Sequence, residues 1–193
     1  MKQSHKKSDF ASQNTVYVCR APQTHLQFGE KIAAQHRFAL QVLHRAYLEV
    51  FDWNLDELNL HRLPNGKYVC DKGHFSISHS GNYVAVAVSN APIGVDIQKC
   101  NGEKVLGVAK RFFTEAENRQ LVQSDNKVDC FYLTWCKKEA LWKSLATQPL
   151  TIATVETCEA PFTTRILTLD SETYYLAVTG ENSIITIDVP FDC

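Results

Sequence analysis

Two stretches of sequence decide the fold and the site of this chain: GVDIQ at residues 94–98 and WCKKEALWK at residues 135–143. The first is typical of a short apolar strand that carries one acid, Asp96, near its end. The second is typical of a helix on which Glu139 and Lys143 lie one turn apart. Two carboxylates and a cation on neighbouring elements can hold a divalent metal against a phosphate. The pattern therefore directs attention to phosphate chemistry.

The composition is that of an ordinary globular protein. With 193 residues, the chain is long enough for one large domain or two small halves with a core. The formal net charge is -1, so no overall field attracts nucleic acid or membrane, and no apolar run reaches the length of a membrane span. The seven cysteines are scattered, without a CxxC pair or a zinc spacing. With no signal peptide evident, we expect a cytoplasmic protein without a nucleic-acid or membrane partner.

Hydrophobic patterns predict an α+β fold in two parts, each made of helix and antiparallel strands. The predicted helices cover residues 30–51, 103–113, a segment opened by the capping box at 114–117, and 129–145. The predicted strands cover residues 15–19, 67–70, 74–78, 83–89, 93–98, 152–156, 165–170, 174–179 and 183–189, the last four in a mostly antiparallel sheet. A turn is predicted at residues 64–66, and residues 1–14 are expected to be frayed. The break at Asn90-Ala91-Pro92 separates the two parts.

Asp96 is an unusual residue for a strand, because aspartate is depleted there. Its apolar neighbours Val95 and Ile97 must point to the opposite face. Taken alone, Asp96 is more often explained as a cap or turn residue after an edge strand. Its importance depends on what the second stretch places beside it.

Glu139 and Lys143 share a helix face with Trp135, four residues before Glu139. Alone, the pair is explained as a solvent-exposed ion pair, which contributes little. The same helix, however, also carries several aromatic and aliphatic residues, which indicates that it is largely buried. A buried glutamate and lysine need partners, and a metal and a phosphate would supply them.

His79 follows a strand and precedes a glycine turn in FSISHSG at residues 75–81. Serine and histidine side chains with turn amides can form a phosphate cradle, whereas a histidine that bonds a nearby carbonyl is an equally good explanation. Arg37, Arg62 and Lys67 are each ordinary surface charges when taken singly. If they converge, they would bind a terminal phosphate by charge-assisted hydrogen bonds.

Four motifs in order and register resemble those of the 4'-phosphopantetheinyl transferases. They are FSISHS at 75–80, GVDI at 94–97, RFFTEAE at 111–117 and WCKKEALWK at 135–143. Each motif is weak alone, and the four together are specific. The resemblance extends from about Arg37 to Lys143, and it is to the longer, surfactin-synthetase-type monomers and not to the short trimeric holo-acyl-carrier-protein synthases.

The resemblance implies a reaction and a set of roles. Such enzymes move the phosphopantetheine arm of coenzyme A to a serine of an apo-acyl or apo-peptidyl carrier protein and release adenosine 3',5'-bisphosphate. It implies a Mg²⁺ site formed by Asp96 and Glu139, with Gln98 as a further ligand, directly or through water. Glu139 would also take the serine proton, and Lys143 would neutralise the pyrophosphate.

The resemblance also implies a coenzyme A site and an architecture. The residues that would hold the 3'-phosphate and adenine end are Arg37, Arg62, Lys67 and His79, with the backbone from Ser76 to Ser78 alongside and Lys143 at the pyrophosphate. The implied fold is a monomer of two similar helix-plus-antiparallel-sheet halves related by pseudo-two-fold symmetry. Unit 1–92 would carry the nucleotide side, unit 93–193 the metal and catalytic residues, and coenzyme A would lie between them.

The sequence departs from the family pattern at three places. Gln98 replaces the common third acid, so we expect weaker metal binding. Tyr68 stands where a proline is common in the family. The loop after Lys143, which is usually rich in glycine, has the sequence SLATQPL at 144–150 and contains no glycine. The identity of the carrier protein therefore stays open. A non-catalytic coenzyme A or carrier-protein binder is therefore the alternative function. An α+β protein whose acids are only surface charges is the third explanation.

Overall fold

The computed structural model describes residues 14–22, 28–63, 67–102, 106–145 and 150–187. The strands are β1 (Thr15–Arg20), β2 (His61–Arg62), β3 (Tyr68–Val69), β4 (His74–Ser80), β5 (Tyr83–Ser89), β6 (Val95–Lys99), β7 (Phe162–Leu169), β8 (Glu172–Thr179) and β9 (Ile184–Ile187). The helices are α1 (Phe28–Phe51), α2 (Leu106–Phe112), α3 (Glu115–Gln123) and α4 (Lys127–Ser144). The predicted α+β class is confirmed.

The first sheet has the strand order β4-β5-β1-β9. Its β4/β5 and β1/β5 pairs are antiparallel, and β9 lies parallel to β1. Helix α1 packs on one face of this sheet, where Phe38, Val42, Leu43 and Tyr47 form a buried core with apolar residues of β5. The helical spacing of these four residues explains why the predicted helix is confirmed.

The second sheet has the order β6-β8-β7 and is antiparallel throughout. Helix α4 packs against it, and Phe131, Tyr132, Cys136 and Ala140 are buried with Tyr175 of β8. Helix α3 begins with the predicted capping box, since the Thr114 side chain and the N3 glutamate satisfy each other's backbone donors. None of the described helices has the length and apolar character needed to cross a membrane.

Serine hydroxyls join the two sheets where β4 and β6 lie side by side. Every second residue of β4 from Ser76 to Ser80 is a serine, and the side-chain oxygens of these serines accept the backbone N–H groups of every second residue of β6. These bonds run from Val95 to Ser76 at 3.0 Å, from Ile97 to Ser78 at 3.3 Å and from Lys99 to Ser80 at 2.9 Å. We call this set the serine row. It fixes the register of β6, and therefore the position of Asp96, against the first sheet.

The predicted strand at 152–156 is wrong, because Ile152–Thr154 is a 3₁₀ turn. The β-branched composition is overridden by local polar contacts, including a bond of 3.0 Å from the Thr154 amide to the Thr151 carbonyl. The Glu156 carboxylate then accepts the Thr114 hydroxyl at 2.6 Å and the Thr157 amide at 2.9 Å. Segment 152–157 therefore braces helix α3 and forms no strand.

The predicted strand at 183–189 is confirmed over Ile184–Ile187, but its predicted sheet is wrong. It pairs with β1 of the first sheet and not with the antiparallel sheet of the second part. The pairing covers an edge of β1 that would otherwise present unpaired backbone groups. The turn predicted at 64–66 lies outside the described residues, as does nearly all of the segment predicted to be frayed.

Candidate active site

The start of β6 makes a very close backbone contact with helix α4. A Cβ atom built on Gly94 would lie 1.7 Å from the Ala140 carbonyl oxygen and 2.7 Å from its carbon. Real Cβ contacts stay above 3.0 Å, so only glycine permits this approach. The contact brings Asp96, two residues later, against the helix that carries Glu139 and Lys143.

Asp96 is 1% exposed, and donors surround its carboxylate. The Ser78 hydroxyl donates to Oδ1 at 2.6 Å, and the Lys143 ammonium donates to the same oxygen at 2.7 Å. The Gln98 amide donates to Oδ2 at 3.2 Å. A buried carboxylate requires such partners, and these three donors hold Asp96 in a defined orientation.

Glu139 lies one turn before Lys143 on α4 and is half-buried. Burial raises the pKa of Glu139, the charge of Asp96 raises it further, and Lys143 lowers it. The two carboxylates are therefore close enough to repel each other. A cation beside both would relieve that repulsion.

The donor set fits Mg²⁺, which prefers oxygen ligands and commonly binds one or two protein carboxylates with water and phosphate oxygens. In the described part of the chain, no group of three or more His, Cys, Asp or Glu residues could hold a metal by itself. Asp96 and Glu139 would thus form a site that substrate oxygens and water complete. Gln98 turns its amide nitrogen toward Asp96, and its predicted role as a ligand stays a prediction.

A cavity of about 300 Å³ begins at Lys143 and is lined mainly by basic and aromatic side chains. Its lining residues are His36, Arg62, Lys67, Tyr68, Phe75, Ser76, Ile77, His79, Trp142 and Lys143. Burial and then the Lys143 charge lower the pKa of Lys67. Burial, Lys143 and His36 lower the pKa of His79, whereas Asp96 raises it. The ammonium groups of Lys67 and Lys143 therefore repel each other, and a phosphate between them would remove that penalty.

The structure brings most of the residues predicted to bind coenzyme A to one cavity. Arg62, Lys67, Ser76 and His79 reach the cavity, as does Lys143. Lys67 also donates a hydrogen bond to the Lys143 carbonyl, which ties the segment before β3 to the end of α4. Their proposed contacts with coenzyme A remain predictions.

Of the residues predicted to bind coenzyme A, Arg37 and Ser78 do not belong to the described cavity lining. Arg37 is exposed on α1, on the same face as His44 and Leu48. The neighbouring His36 lines the cavity, and the sequence analysis missed it. Helical periodicity could have found it, because residue 36 shares its face with the buried Ala39 and Leu43.

A second ion pair lies behind the site. Lys138 and Glu117 are both fully buried, with 2.8 Å between the ammonium and Oε2. Lys138 also donates to the Val155 carbonyl, and Glu117 Oε1 accepts the hydroxyl of Thr157 at 2.8 Å. This pair connects α4 to the start of α3 and to segment 152–157. The adjacent Glu139 is therefore carried on a helix that is anchored on its far side.

Comparison with known proteins agrees with this geometry. Residues 92–187 match the model of the 4'-phosphopantetheinyl transferase superfamily. Similar proteins include 4'-phosphopantetheinyl transferase Sfp of Bacillus subtilis (strain 168), 43% identical over 72 residues, which are 36% of this chain and 32% of the relative. Another is 4'-phosphopantetheinyl transferase psf-1 of Bacillus pumilus, 31% identical over 130 residues, 59% of this chain and 55% of that protein.

The chain belongs to the 4'-phosphopantetheinyl transferase superfamily. The surfactin-synthetase-type subfamily expected from the four motifs is confirmed as well. The matched segments span between about a third and about half of the length of these relatives.

Proposed function

We propose that this protein transfers 4'-phosphopantetheine from coenzyme A to a serine of an apo-acyl or apo-peptidyl carrier protein. The observation that carries the proposal is the ion pair of Asp96 with Lys143, which lines a basic cavity, together with Glu139 one turn before Lys143 on α4. The carboxylates suit a metal-bound pyrophosphate, and the basic groups suit a further phosphate. Coenzyme A carries both kinds of phosphate.

The cavity supports an orientation for coenzyme A. Its 3'-phosphate would lie among Arg62, Lys67 and His79, where positive charge is concentrated. Tyr68 and Trp142 add aromatic surface next to these groups, which suits a purine ring. The pyrophosphate would then reach Lys143, and the pantetheine arm would extend toward the carrier protein.

The reaction follows from these positions. The serine oxygen attacks the phosphorus that bears the pantetheine arm, and the bond from that phosphorus to the leaving bisphosphate oxygen breaks. Glu139 accepts the serine proton, a role that its raised pKa favours. Lys143 offsets the negative charge of the pyrophosphate. A Mg²⁺ ion bound by Asp96 and Glu139 would supply polarisation of the phosphoryl oxygens.

We further propose a monomer of two halves, 1–92 and 93–193, related by pseudo-two-fold symmetry, with coenzyme A between them. What supports this arrangement is that each sheet carries one long helix, α1 or α4, and that the sheets adjoin at the serine row. We propose a cytoplasmic location and no nucleic-acid or membrane partner.

The test is to incubate the protein with apo-carrier protein, coenzyme A and Mg²⁺ and to weigh the carrier by mass spectrometry. The expected result is a gain of one phosphopantetheine. Asp96→Ala and Glu139→Ala should abolish the gain without loss of the fold, whereas Glu115→Ala, on the exposed first turn of α3, should leave it unchanged. Normal turnover by both site variants would refute the metal assignment.

Lys143→Ala separates substrate binding from metal binding. It should weaken coenzyme A affinity and slow transfer, because the pyrophosphate loses its cation. An unchanged rate and affinity would exclude Lys143 from the site.

The alternative is a protein that binds coenzyme A or a carrier protein without turnover. The observation that favours it is Gln98, whose amide faces Asp96 where a third acid is common in the family. Tight binding of coenzyme A with no mass gain on any apo-carrier protein would establish this alternative.

A further inference from the structure

Ser78 is the member of the serine row that touches the catalytic centre. Its oxygen accepts the Ile97 amide at 3.3 Å, and its hydroxyl donates to Asp96 Oδ1 at 2.6 Å. Ser80, two residues later, accepts the Lys99 amide at 2.9 Å in the same manner. Among the described contacts of the row, the bond to Asp96 belongs to Ser78.

The position of Ser78 does not suit a phosphate ligand. It is 6% exposed and is not among the residues that line the basic cavity, and its side chain bonds the backbone of β6. Its single proton is directed at Asp96, so it has no donor left for a phosphate. The hydroxyl of Ser78 is thus engaged by the Ile97 amide and by Asp96.

Asp96 needs a fixed donor because its other partners have additional functions. Lys143 is a long side chain that would also face the pyrophosphate, and Gln98 ends in a rotatable amide. Ser78 has one short torsion and is tied to the backbone of the strand that carries Asp96. It therefore holds the carboxylate in one orientation while the other two partners adjust.

We propose that Ser78 is a positioning residue that orients Asp96 for a divalent cation. This inference rests on the proposed function, in which Asp96 is a metal ligand. Groups that hydrogen-bond to metal ligands set their orientation, and their loss commonly weakens metal affinity by about 10-fold or more. Ser78 thus acts on the metal site and not on the nucleotide.

The experiment compares Ser78→Ala with Ser80→Ala in the full chain. Both variants leave one β6 amide without its serine partner, so their structural cost is matched, and Ser78→Ala alone also removes a donor from Asp96. Mn²⁺ affinity is measured by electron paramagnetic resonance, and coenzyme A affinity is measured by calorimetry without metal. Thermal unfolding reports the fold of each variant.

We expect Ser78→Ala to weaken Mn²⁺ binding by about 10-fold and to leave metal-free coenzyme A affinity unchanged. Ser80→Ala should alter neither quantity. Unchanged Mn²⁺ affinity in Ser78→Ala would overturn the proposal, and so would a loss of metal-free coenzyme A affinity, which would make Ser78 a nucleotide ligand.

A second variant keeps the test decisive if Ser78→Ala does not fold. Ser78→Cys preserves the size of the side chain and has a weaker donor, so its Mn²⁺ affinity should also fall, and wild-type affinity would overturn the proposal. A wild-type protein that binds Mn²⁺ but modifies no carrier refutes the transferase function alone. A wild-type protein that binds no Mn²⁺ even with coenzyme A present overturns both.

Discussion

Gly94→Ala tests whether the approach of β6 to α4 creates the site. The added Cβ would meet the Ala140 carbonyl oxygen at 1.7 Å and the Ser144 amide nitrogen at 3.0 Å. Both obstacles are backbone, so no side-chain rotation relieves them. The contact between the new Cβ and the Ala140 oxygen must open from 1.7 Å to at least 3.0 Å, so β6 and α4 must separate by about 1.3 Å.

That separation sets the size of the effect. It would lengthen the ion pair between Lys143 and Asp96 from 2.7 Å to about 4 Å and would move Glu139 by a similar distance. A displacement of about 1 Å in a catalytic group can cost about 100-fold in rate. Overpacking of this kind also destabilises a fold, typically by about 1–3 kcal/mol. We therefore expect a folded variant with transfer at least about 100-fold slower and a lower Tm.

The assay is phosphopantetheine transfer followed by mass spectrometry, together with thermal unfolding. Gly107→Ala is the matched control, since a Cβ at this position in α2 meets nothing within 4 Å and the residue has helical geometry. It should retain the wild-type rate and gain slightly in stability. If Gly94→Ala had the Tm and rate of the wild-type protein, the close approach would not exist in solution and the reasoning would be refuted.

Three further predictions concern the surroundings of the site. Lys138→Met should lower the free energy of unfolding by about 3 kcal/mol or more, because it leaves the buried Glu117 charge unpaired, and Glu117→Gln added to it should restore part of the loss in urea titrations. Hydrogen bonds overcome slight burial and lower the pKa of Glu156 to about 2, so its stabilising contribution is complete above about pH 4.5 and disappears as the pH falls through about 2. Glu156→Gln should remove that part of the acid sensitivity, and equal urea midpoint shifts between pH 5 and pH 3 in both proteins would contradict this. Lys67→Ala should weaken coenzyme A binding by about 10-fold or more in calorimetry, because Lys67 lines the cavity. Arg37 is exposed outside the cavity, so Arg37→Ala should weaken binding by less than about 2-fold. The reverse order of the two effects would show that the cavity is not the nucleotide site.

Local sequence patterns predicted the elements whose stability is local. Helix α1 has an apolar face at helical spacing, and the capping box at Thr114 satisfies its own backbone donors. The proximity of Asp96 to the helix that carries Glu139 and Lys143 was anticipated, because a buried glutamate and lysine on that helix need partners. The direct ion pair between Asp96 and Lys143 was not predicted.

The missed features depend on contacts between distant residues. The pairing of β9 with β1 is set by the exposed edge of β1, which hydrophobic alternation in β9 does not encode. The orientation of Ser78 depends on the register of β6 against β4, so the motif at 75–80 does not reveal its hydrogen bond to Asp96. The choice of His36 over Arg37 required knowing which face of α1 meets the cavity.

The place of β9 has a consequence for biosynthesis. As the polypeptide leaves the ribosome, β1, β4 and β5 emerge early, yet the fourth strand of their sheet follows only after α4 and β8 have been made. Until then the nascent chain presents the open side of β1 to other molecules, which invites association with exposed strands or with chaperones. Closure of the sheet therefore waits for the synthesis of residues 184–187, and a fragment ending at residue 92 would lack the strand that covers β1.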